Sequence, residues 1–235
     1  MLMMGEFAPP FLEVLYRQFP AAVRNGTGAA SLSIGFTIPA GLPAAARCFF
    51  LCGWLQNATG PGVITFGGDT LDGDDELVAP NNPADVTTPV TAAYHQLNPS
   101  AGAKNLVLSG STDFRSFCAG LWIINYVDPD QLIEADYQSN ASASNPAING
   151  SLDTEVRSYL LSLAVAQGFD TAPSAISGGF TERADGVPAG ASSITTDIAY
   201  NFADQPASNG ATYNSTVTFS SADGRGIVQL AVRGK

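Results

Sequence analysis

The residue types that perform acid–base and nucleophilic chemistry are sparse in this chain. His95 is the single histidine, so a hydrolytic triad would have one available base, and no G-x-S-x-G sequence accompanies it. The glycine-rich signatures of P-loop and dinucleotide-binding proteins are absent as well. We interpret His95, between Tyr94 and Gln96 in a predicted strand, as a hydrogen-bonded structural residue or a surface contact. We therefore expect no enzymatic activity and name no catalytic residue.

Carboxylates are concentrated in one short segment, residues 69–76. Ca²⁺ takes about six to eight oxygen ligands, and a tightly turned loop around a glycine can supply several of them. The spacing of the segment does not fit an EF-hand loop, so a solvated acidic turn is the alternative interpretation. No cofactor other than calcium is predicted, and no cysteine or histidine spacing indicates zinc. The candidate calcium ligands are Asp69, Asp72, Asp74, Asp75 and Glu76.

Aromatic residues provide a second kind of candidate site. Tyr137 and Tyr213 would be able to stack on sugar rings if their side chains were exposed, so we name them as candidate glycan-binding residues. Trp54 and Trp122 lie in the strongest apolar runs and are predicted to belong to the core or to an interface.

The overall charge restricts the classes of partner. The chain has 21 acidic and 10 basic residues, a formal net charge of −11, so nucleic acid and anionic membranes are repelled. Charged residues make up only 13% of the 235 residues, which predicts that partners cover part of the surface. We expect Cys48, Cys52 and Cys118 to be buried free thiols, with a disulfide from Cys118 to one of the others as the alternative.

The first residues form an apolar leader. They lack a basic start and contain Glu6 and Glu13, so neither a signal peptide nor a membrane span is predicted. The apolar spacing after Pro9 and Pro10 suits a short amphipathic helix, but an extended arm packing on its own domain is an equal alternative. We predict an anchoring arm over residues 1–30 and a β-sandwich domain over residues 31–235. The predicted anchoring residues are Phe11, Leu12, Leu15, Tyr16 and Phe19.

Strand patterns dominate the rest of the chain. Residues 31–38 alternate between apolar and small polar types, whereas residues 47–55 are apolar on both faces, as in a central strand. Residues 91–127 predict three strands joined by turns at 98–102 and 110–113, and residues 128–152 predict a long loop with one short strand around Leu132. For residues 154–167 a strand is favoured over a helix. About nine or ten strands without alternating helices predict an all-β antiparallel sandwich or jelly roll.

Several segments, in their order along the chain, resemble a β-sandwich domain that recurs in tailed-phage virion proteins and bacterial surface proteins. The similar segments are LSIGFTIPAG at 32–41, the apolar strand 47–54, VITFGGDTL at 63–71, YHQLNPSAG at 94–102, and SSADGR at 220–225. The likeness covers roughly residues 30–235. This sequence departs from the pattern at His95, where an aliphatic residue is usual, and in the long 128–152 segment.

The resemblance implies a fold and a setting but transfers no catalytic residue. It implies a non-enzymatic virion protein, such as a capsid decoration, a head spike or fibre, or a tail appendage, anchored to other virion proteins by its leader. Homo-oligomeric assembly would follow, because apolar faces must be covered. The alternative on the same scaffold is a carbohydrate-binding or adhesin module for attachment to host surface glycans. No nucleic-acid binding or membrane insertion is expected.

Overall fold

Strands account for nearly all of the regular structure. The computed structural model describes residues 12–56, 62–80, 89–128, 134–140, 147–154, 158–168, 173, 176–189, 197–207, 210–219 and 224–234. These residues contain no α-helix and one 3₁₀ turn, Gly73–Asp75, so the all-β prediction is confirmed. The fifteen strands are β1 Glu13–Gln18, β2 Val23–Ile38, β3 Arg47–Gln56, β4 Val63–Phe66, β5 Asp69–Thr70, β6 Glu76–Val78, β7 Val90–Leu97, β8 Gly102–Asn125, β9 Glu134–Asn140, β10 Ala147–Asp153, β11 Ser158–Gln167, β12 Thr181–Gly186, β13 Ile198–Pro206, β14 Thr212–Thr218 and β15 Arg225–Arg233.

The 24-residue strand β8 organises the first sheet, which has eight strands. The first half of β8 pairs with β2 on one side and β4 on the other. Its second half pairs with β1 and the start of β2 on one side and with β3 on the other. Beyond these neighbours the sheet continues from β4 to β5 and from β3 to β7 and β6. The strands before β8 therefore assemble around it.

The prediction of three strands over residues 91–127 is correct at its first turn and wrong at its second. Between β7 and β8 the chain reverses, with positive φ at Asn98 and Gly102. At residues 110–113 it does not reverse, because positive φ at Gly110 and Asp113 bends β8 instead. Arg115 holds the bend through an ion pair with Asp113 at 2.8 Å and a hydrogen bond to the Gly26 carbonyl at 2.8 Å. Residues with positive φ serve bulges as well as turns, so their presence alone does not fix a reversal.

The second sheet has five strands in the order β12-β13-β11-β15-β9. Its central strand β11 is buried along its whole length, which confirms the strand prediction for the described part of residues 154–167. The prediction of a long loop with one short strand over residues 128–152 is wrong, because this region contributes both β9 and β10, and Leu132, where the short strand was predicted, lies outside the described residues. Strand β9 is rich in polar residues and pairs with β15, and β10 forms a two-stranded sheet with β14. Such strands lack an apolar pattern and are defined by their backbone pairing.

Three apolar clusters separate these layers. The inner cluster lies on one face of the first sheet and combines side chains from β2, β3, β4, β7 and β8. The middle cluster lies between the first and second sheets, and the outer cluster lies between the second sheet and the β10–β14 pair. Strand β3 shows the layering, since Phe50 and Trp54 belong to the inner cluster whereas Phe49 and Leu51 belong to the middle one. The prediction that residues 47–55 are buried on both faces is confirmed.

All three cysteines are buried free thiols, as predicted. Burial raises the pKa of Cys48 to about 12 and raises the pKa of Cys52 and Cys118 as well. None of the described segments forms a helix long and apolar enough to cross a membrane.

Candidate functional site

A buried carboxylate, Asp204 on β13, is the centre of the most connected polar cluster in the described structure. Its side chain is fully buried. Asp204 Oδ2 accepts hydrogen bonds from Arg17 Nε and Trp122 Nε1, both at 2.7 Å. Its Oδ1 accepts hydrogen bonds from Arg183 Nε at 2.7 Å and from the Tyr159 hydroxyl at 2.9 Å. These four donors, two of which are cations, compensate for the removal of a charge from water. We call this group the Asp204 cluster.

The donors of the Asp204 cluster come from four different strands, β1, β8, β11 and β12. Arg17 lies opposite Trp122 in the β1–β8 ladder. The pairing of β1 with β8 therefore brings the Arg17 guanidinium to Asp204 of the second sheet. Burial and the nearby Asp204 charge raise the pKa of Tyr159, so its hydroxyl stays neutral and can donate. Because every oxygen of Asp204 is used by fixed donors, the arrangement suits a structural clamp between the two sheets better than proton transfer.

Aromatic packing reinforces the same junction. The Phe19 ring meets Trp122 edge to face, with ring centroids 5.0 Å apart, and lies 5.5 Å from the Phe202 ring. Gly120 leaves room for these rings, since a Cβ atom there would lie 2.8 Å from Phe202 Cδ1. A second ion pair joins Arg24 at the start of β2 to the buried Asp197. Residues 12–24 are thus fastened to both sheets by apolar and ionic contacts.

The described anchoring residues all contact their own chain. Leu15 and Tyr16 pack against the inner cluster, whereas Leu12 and Phe19 pack against the middle cluster. Strand β1 shows that residues 13–18 are extended, so the extended-arm alternative is confirmed there and the helix is not formed. Phe11 lies outside the described residues, and residue 30 falls within β2. Anchoring to another protein stays a prediction.

His95 and the acidic segment contact each other. His95 Nε2 lies 2.8 Å from the Asp74 carbonyl oxygen and must donate to it, which confirms the prediction of a hydrogen-bonded structural histidine. Burial, assisted by the Arg47 charge, lowers the pKa of His95. The Gln96 side chain donates to Asp69 Oδ2 at 3.3 Å.

The structure does not gather the five candidate calcium ligands. Asp69, Asp72 and Asp74 are exposed, and Asp75 and Glu76 are half-buried. In the part of the chain that the structure describes, no three carboxylate, cysteine or histidine side chains group closely enough to hold a metal ion. Calcium binding stays a prediction, which a rise in Tm with calcium over a chelated sample would support.

The two candidate glycan-binding tyrosines lie on different sheets. Tyr213 on β14 is half-buried, packs against the outer cluster and lies opposite Leu152. Tyr137 on β9 lies opposite Val228, and its side chain falls outside the described part of the structure. Glycan binding by either residue stays a prediction.

Sequence reasoning missed an uncharged surface on the first sheet, which we call the outer face. It is the solvent-facing side of β2, β4 and the first half of β8. Cross-strand neighbours form rows on it, such as Ser33 beside Val107 and Val107 beside Thr65. The sequence contains an indication of this surface, since no charged residue occurs in the segments 25–46, 57–68 and 105–112. The outward residues are Ser31, Ser33, Gly35, Thr37, Val63, Thr65, Ala103, Asn105, Val107 and Ser109.

A shallow depression with a volume of about 400 Å³ lies at one end of the outer face. Thr65, Asn105 and the Gly67–Gly68 turn line it, together with Lys104 at its rim. The Lys104 ammonium lies 5.9 Å from the centroid of the Phe66 ring. Hydroxyl, amide and ammonium groups around an open depression suit a polar ligand better than an apolar one.

Comparison with known proteins identifies no family. No protein-family model matches the chain, and no curated protein matches it. Among solved structures, the ANXUR1 extracellular domain from Arabidopsis thaliana is 8% identical, with 94% of this chain and 90% of that chain covered and a TM-score of 0.27. The Cucumber Necrosis Virus structure is 12% identical, with 95% of each chain covered and a TM-score of 0.27.

A third solved structure describes the triple jelly roll fold and turret assembly of an archaeal virus. It is 14% identical, with 93% of this chain and 59% of that chain covered and a TM-score of 0.28. The weak structural neighbours thus include both viral proteins and plant ectodomains.

Proposed function

We propose that this protein is a non-enzymatic structural subunit of a virion, from a tailed phage or a phage-like particle. It serves there as a capsid decoration, a head spike or fibre, or a tail appendage, in contact with other virion proteins and with further copies of itself. The outer face is the single observation that carries this proposal. A sheet surface whose outward side chains are small and neutral, in a chain of net charge −11, is suited to protein contact.

The contrast between the acidic chain and the neutral outer face supports this proposal. Copies of a protein with 21 acidic and 10 basic residues repel one another over most approaches. Across the outer face that repulsion is weakest, because its outward side chains are small and neutral. Depletion of charged residues is also the compositional signature of interface cores.

The attachment of strand β1 to the sandwich also supports this proposal. Arg17 and Phe19 tie the chain at β1 to Asp204, Trp122 and Phe202 of the sandwich. A segment that precedes this fastened strand can bind a neighbouring protein without loosening the domain. We assign residues 1–11 as the attachment segment, with residues 12–24 as its base.

Particle sedimentation tests this proposal. Particles released from cells that encode the protein are separated on a density gradient, and an antibody against the purified chain is used to probe the fractions. We expect the full chain in the particle fractions and a chain lacking residues 1–11 in the soluble fractions, with the same circular dichroism and Tm for both. A full chain found only among soluble proteins would reject the virion role.

The depression beside Lys104 favours a second candidate function, recognition of a host surface glycan. Its Thr65, Asn105 and Lys104 side chains offer hydrogen-bond donors and acceptors for sugar hydroxyls. A glycan array probed with the purified chain should then show binding that Lys104→Ala weakens and that Lys104→Arg retains in part. Equal binding by Lys104→Ala, or no binding by the native chain, would reject this site.

A further inference from the structure

Strand β2 lies at an edge of the first sheet. Among the described strands it pairs only with β8, whereas the facing part of β8 also pairs with β4 on its other side. Register shifts interrupt the β2–β8 ladder between Arg24 and Ser31, but pairing is regular from Ser31 to Ile38.

Two hydrogen bonds establish which backbone groups of β2 point away from β8. The Asn105 carbonyl accepts from the Gly67 N–H at 3.0 Å, on the β4 side of β8. Gly35 lies opposite Asn105, so Gly35 is a non-hydrogen-bonded pair with β8 and its own N–H and C=O point outward. Thr37, two residues further on, donates its N–H outward to Gln18 Oε1 at 2.8 Å. Both observations show that the odd-numbered residues of this segment direct their backbone N–H and C=O groups away from β8.

The direction of the backbone N–H and C=O groups alternates along a strand, so those of Ser31 and Ser33 also point away from β8. The outward N–H and C=O groups of Ser31, Ser33 and Gly35 therefore line an edge that no described strand pairs. At Thr37 the side chain of Gln18 occupies the edge, so the open length runs from Ser31 to Gly35.

From Ser31 to Gly35 this edge lacks the features that prevent strands from pairing with other chains, since the register shifts of β2 all lie before Ser31. Natural edge strands are protected by charged side chains, prolines or bulges. No charged residue occurs between Asn25 and Ala46, and no proline occurs between Ala21 and Ile38. The outward side chains of the open length, Ser31, Ser33 and Gly35, are small enough to let a second strand approach.

We propose that β2 pairs antiparallel with β2 of a second copy of this chain, across a twofold axis beside Ser33. Ser33 then faces Ser33 of the second copy, and Ser31 faces Gly35 on each side. Each of these three pairs exchanges two backbone hydrogen bonds, which joins the two first sheets into one continuous sheet. The inference rests on the proposed assembly role and names the contact between copies.

A second copy is the occupant that the charges favour. The edge is complementary to itself, because each outward donor meets an acceptor under the twofold axis. The chain is acidic overall, so a neutral edge is where two copies meet with least repulsion. A basic partner strand would instead need acidic side chains along β2, and none is present.

Substitutions at Ser33 test this pairing through the backbone. The Ser33 N–H is not used in the β2–β8 ladder, so Ser33→Pro removes an outward donor without removing an internal hydrogen bond. Ser33→Lys places two like charges directly opposite each other across the axis. Ser33→Ala keeps the N–H and adds no charge, and it is the matched control. Sedimentation velocity at rising concentration gives the mass of each variant, and circular dichroism with thermal melting reports folding.

We expect the native chain and Ser33→Ala to form dimers, and Ser33→Lys and folded Ser33→Pro to sediment as monomers. A native chain that stays monomeric at every concentration would overturn the proposal. So would dimers that persist in Ser33→Lys, because the contact would then lie elsewhere. Particle sedimentation of the full chain separates this result from failure of the virion role, since a chain can enter particles without using this edge.

Discussion

Both halves of strand β8 are paired on both sides, but their surroundings are very different. In the first half, residues 102–109, Leu106 and Leu108 face the inner cluster while Val107 and Asn105 face solvent. In the second half, residues 114–125, both faces are buried, one in the inner cluster and one in the middle cluster. The difference arises because the second sheet covers only the second half.

The residues of β8 that face inward also change along the strand. Up to Phe114 the inner cluster receives even-numbered residues such as Leu106, and from Phe117 onward it receives odd-numbered ones such as Leu121 and Ile123. Arg115 is an extra residue in the pairing of β8 with β3, and it produces this change of phase, as in a β-bulge. One strand thus supplies a solvent-exposed surface at one end and a central core element at the other.

Removal of a large side chain from the covered half should have the largest effect. Trp122→Ala should lower the free energy of unfolding by about 3–5 kcal/mol, since a fully buried aromatic residue leaves a cavity. It also removes one hydrogen bond to Asp204. Urea denaturation measures the loss. Val107→Ala in the exposed half is the control, with an expected loss below about 1 kcal/mol.

Neutralising the buried carboxylate should come next. Asp204→Asn removes the charge that pairs with Arg17 and Arg183, and it replaces one acceptor oxygen by a donor. We expect a loss of about 2–3 kcal/mol, less than for a wholly buried pair because both arginine side chains are 30% exposed. The exposed Asp185→Asn on the same β12–β13 ladder should change stability little, and an equal loss in both variants would contradict a special role for the Asp204 cluster.

Alkaline pH should lower the free energy of unfolding through the buried thiol of Cys48 on β3. Cys48 lies opposite Ile123 of β8, and burial raises its pKa from 9.0 to about 12. Above pH 9 the unfolded thiol loses its proton while the folded one keeps it, so stability falls as pH rises from 9 towards 12. By about pH 10 this thiol should account for a loss of about 1.4 kcal/mol. Urea midpoints should fall less between about pH 8 and pH 10 in Cys48→Ala, and parallel curves would contradict the assignment.

A charge on the exposed half should have the smallest effect. Val107→Lys places an ammonium group among neutral, solvent-facing side chains, so the free energy of unfolding should change by no more than about 0.5 kcal/mol. Ile124→Lys on the covered half should instead prevent stable folding, because its side chain lies in the middle cluster. Thermal melting of both variants tests the contrast. A large loss in Val107→Lys would mean that the outer face is covered within the monomer.

Strong alternation and two-sided apolar runs made part of the fold predictable. The pattern from Leu32 to Ile38 identified the half-buried end of β2, and the run from Cys48 to Leu55 identified β3 as a central strand. Polar strands such as β9 gave no such signal, because their position depends on pairing with β15 rather than on side-chain burial. The turn predicted at Gly110 was wrong for the same reason, since β2 pairs with β8 on both sides of it.

The candidate sites show the same limit. The structural role of His95 was predicted correctly because it followed from the position of the residue in a predicted strand. Its hydrogen-bond partner, Asp74, is 21 residues away in the chain and was not predicted. Arg17, Tyr159 and Asp204 are far apart in the chain, and no short-range pattern relates them. The uncharged segments were visible in the sequence, but their assembly into one outer face was not.

By itself the sequence determined the all-β class, the acidic surface, the buried thiols and the strands whose apolar period is clear. These properties follow from composition and from alternation with a period of two, which act over a few residues. The tertiary structure alone decided the bend of β8, the clamp at Asp204 and the edge of β2 that no described strand pairs. Each depends on which distant strands pair or fail to pair, and backbone hydrogen bonds are nearly independent of side-chain type.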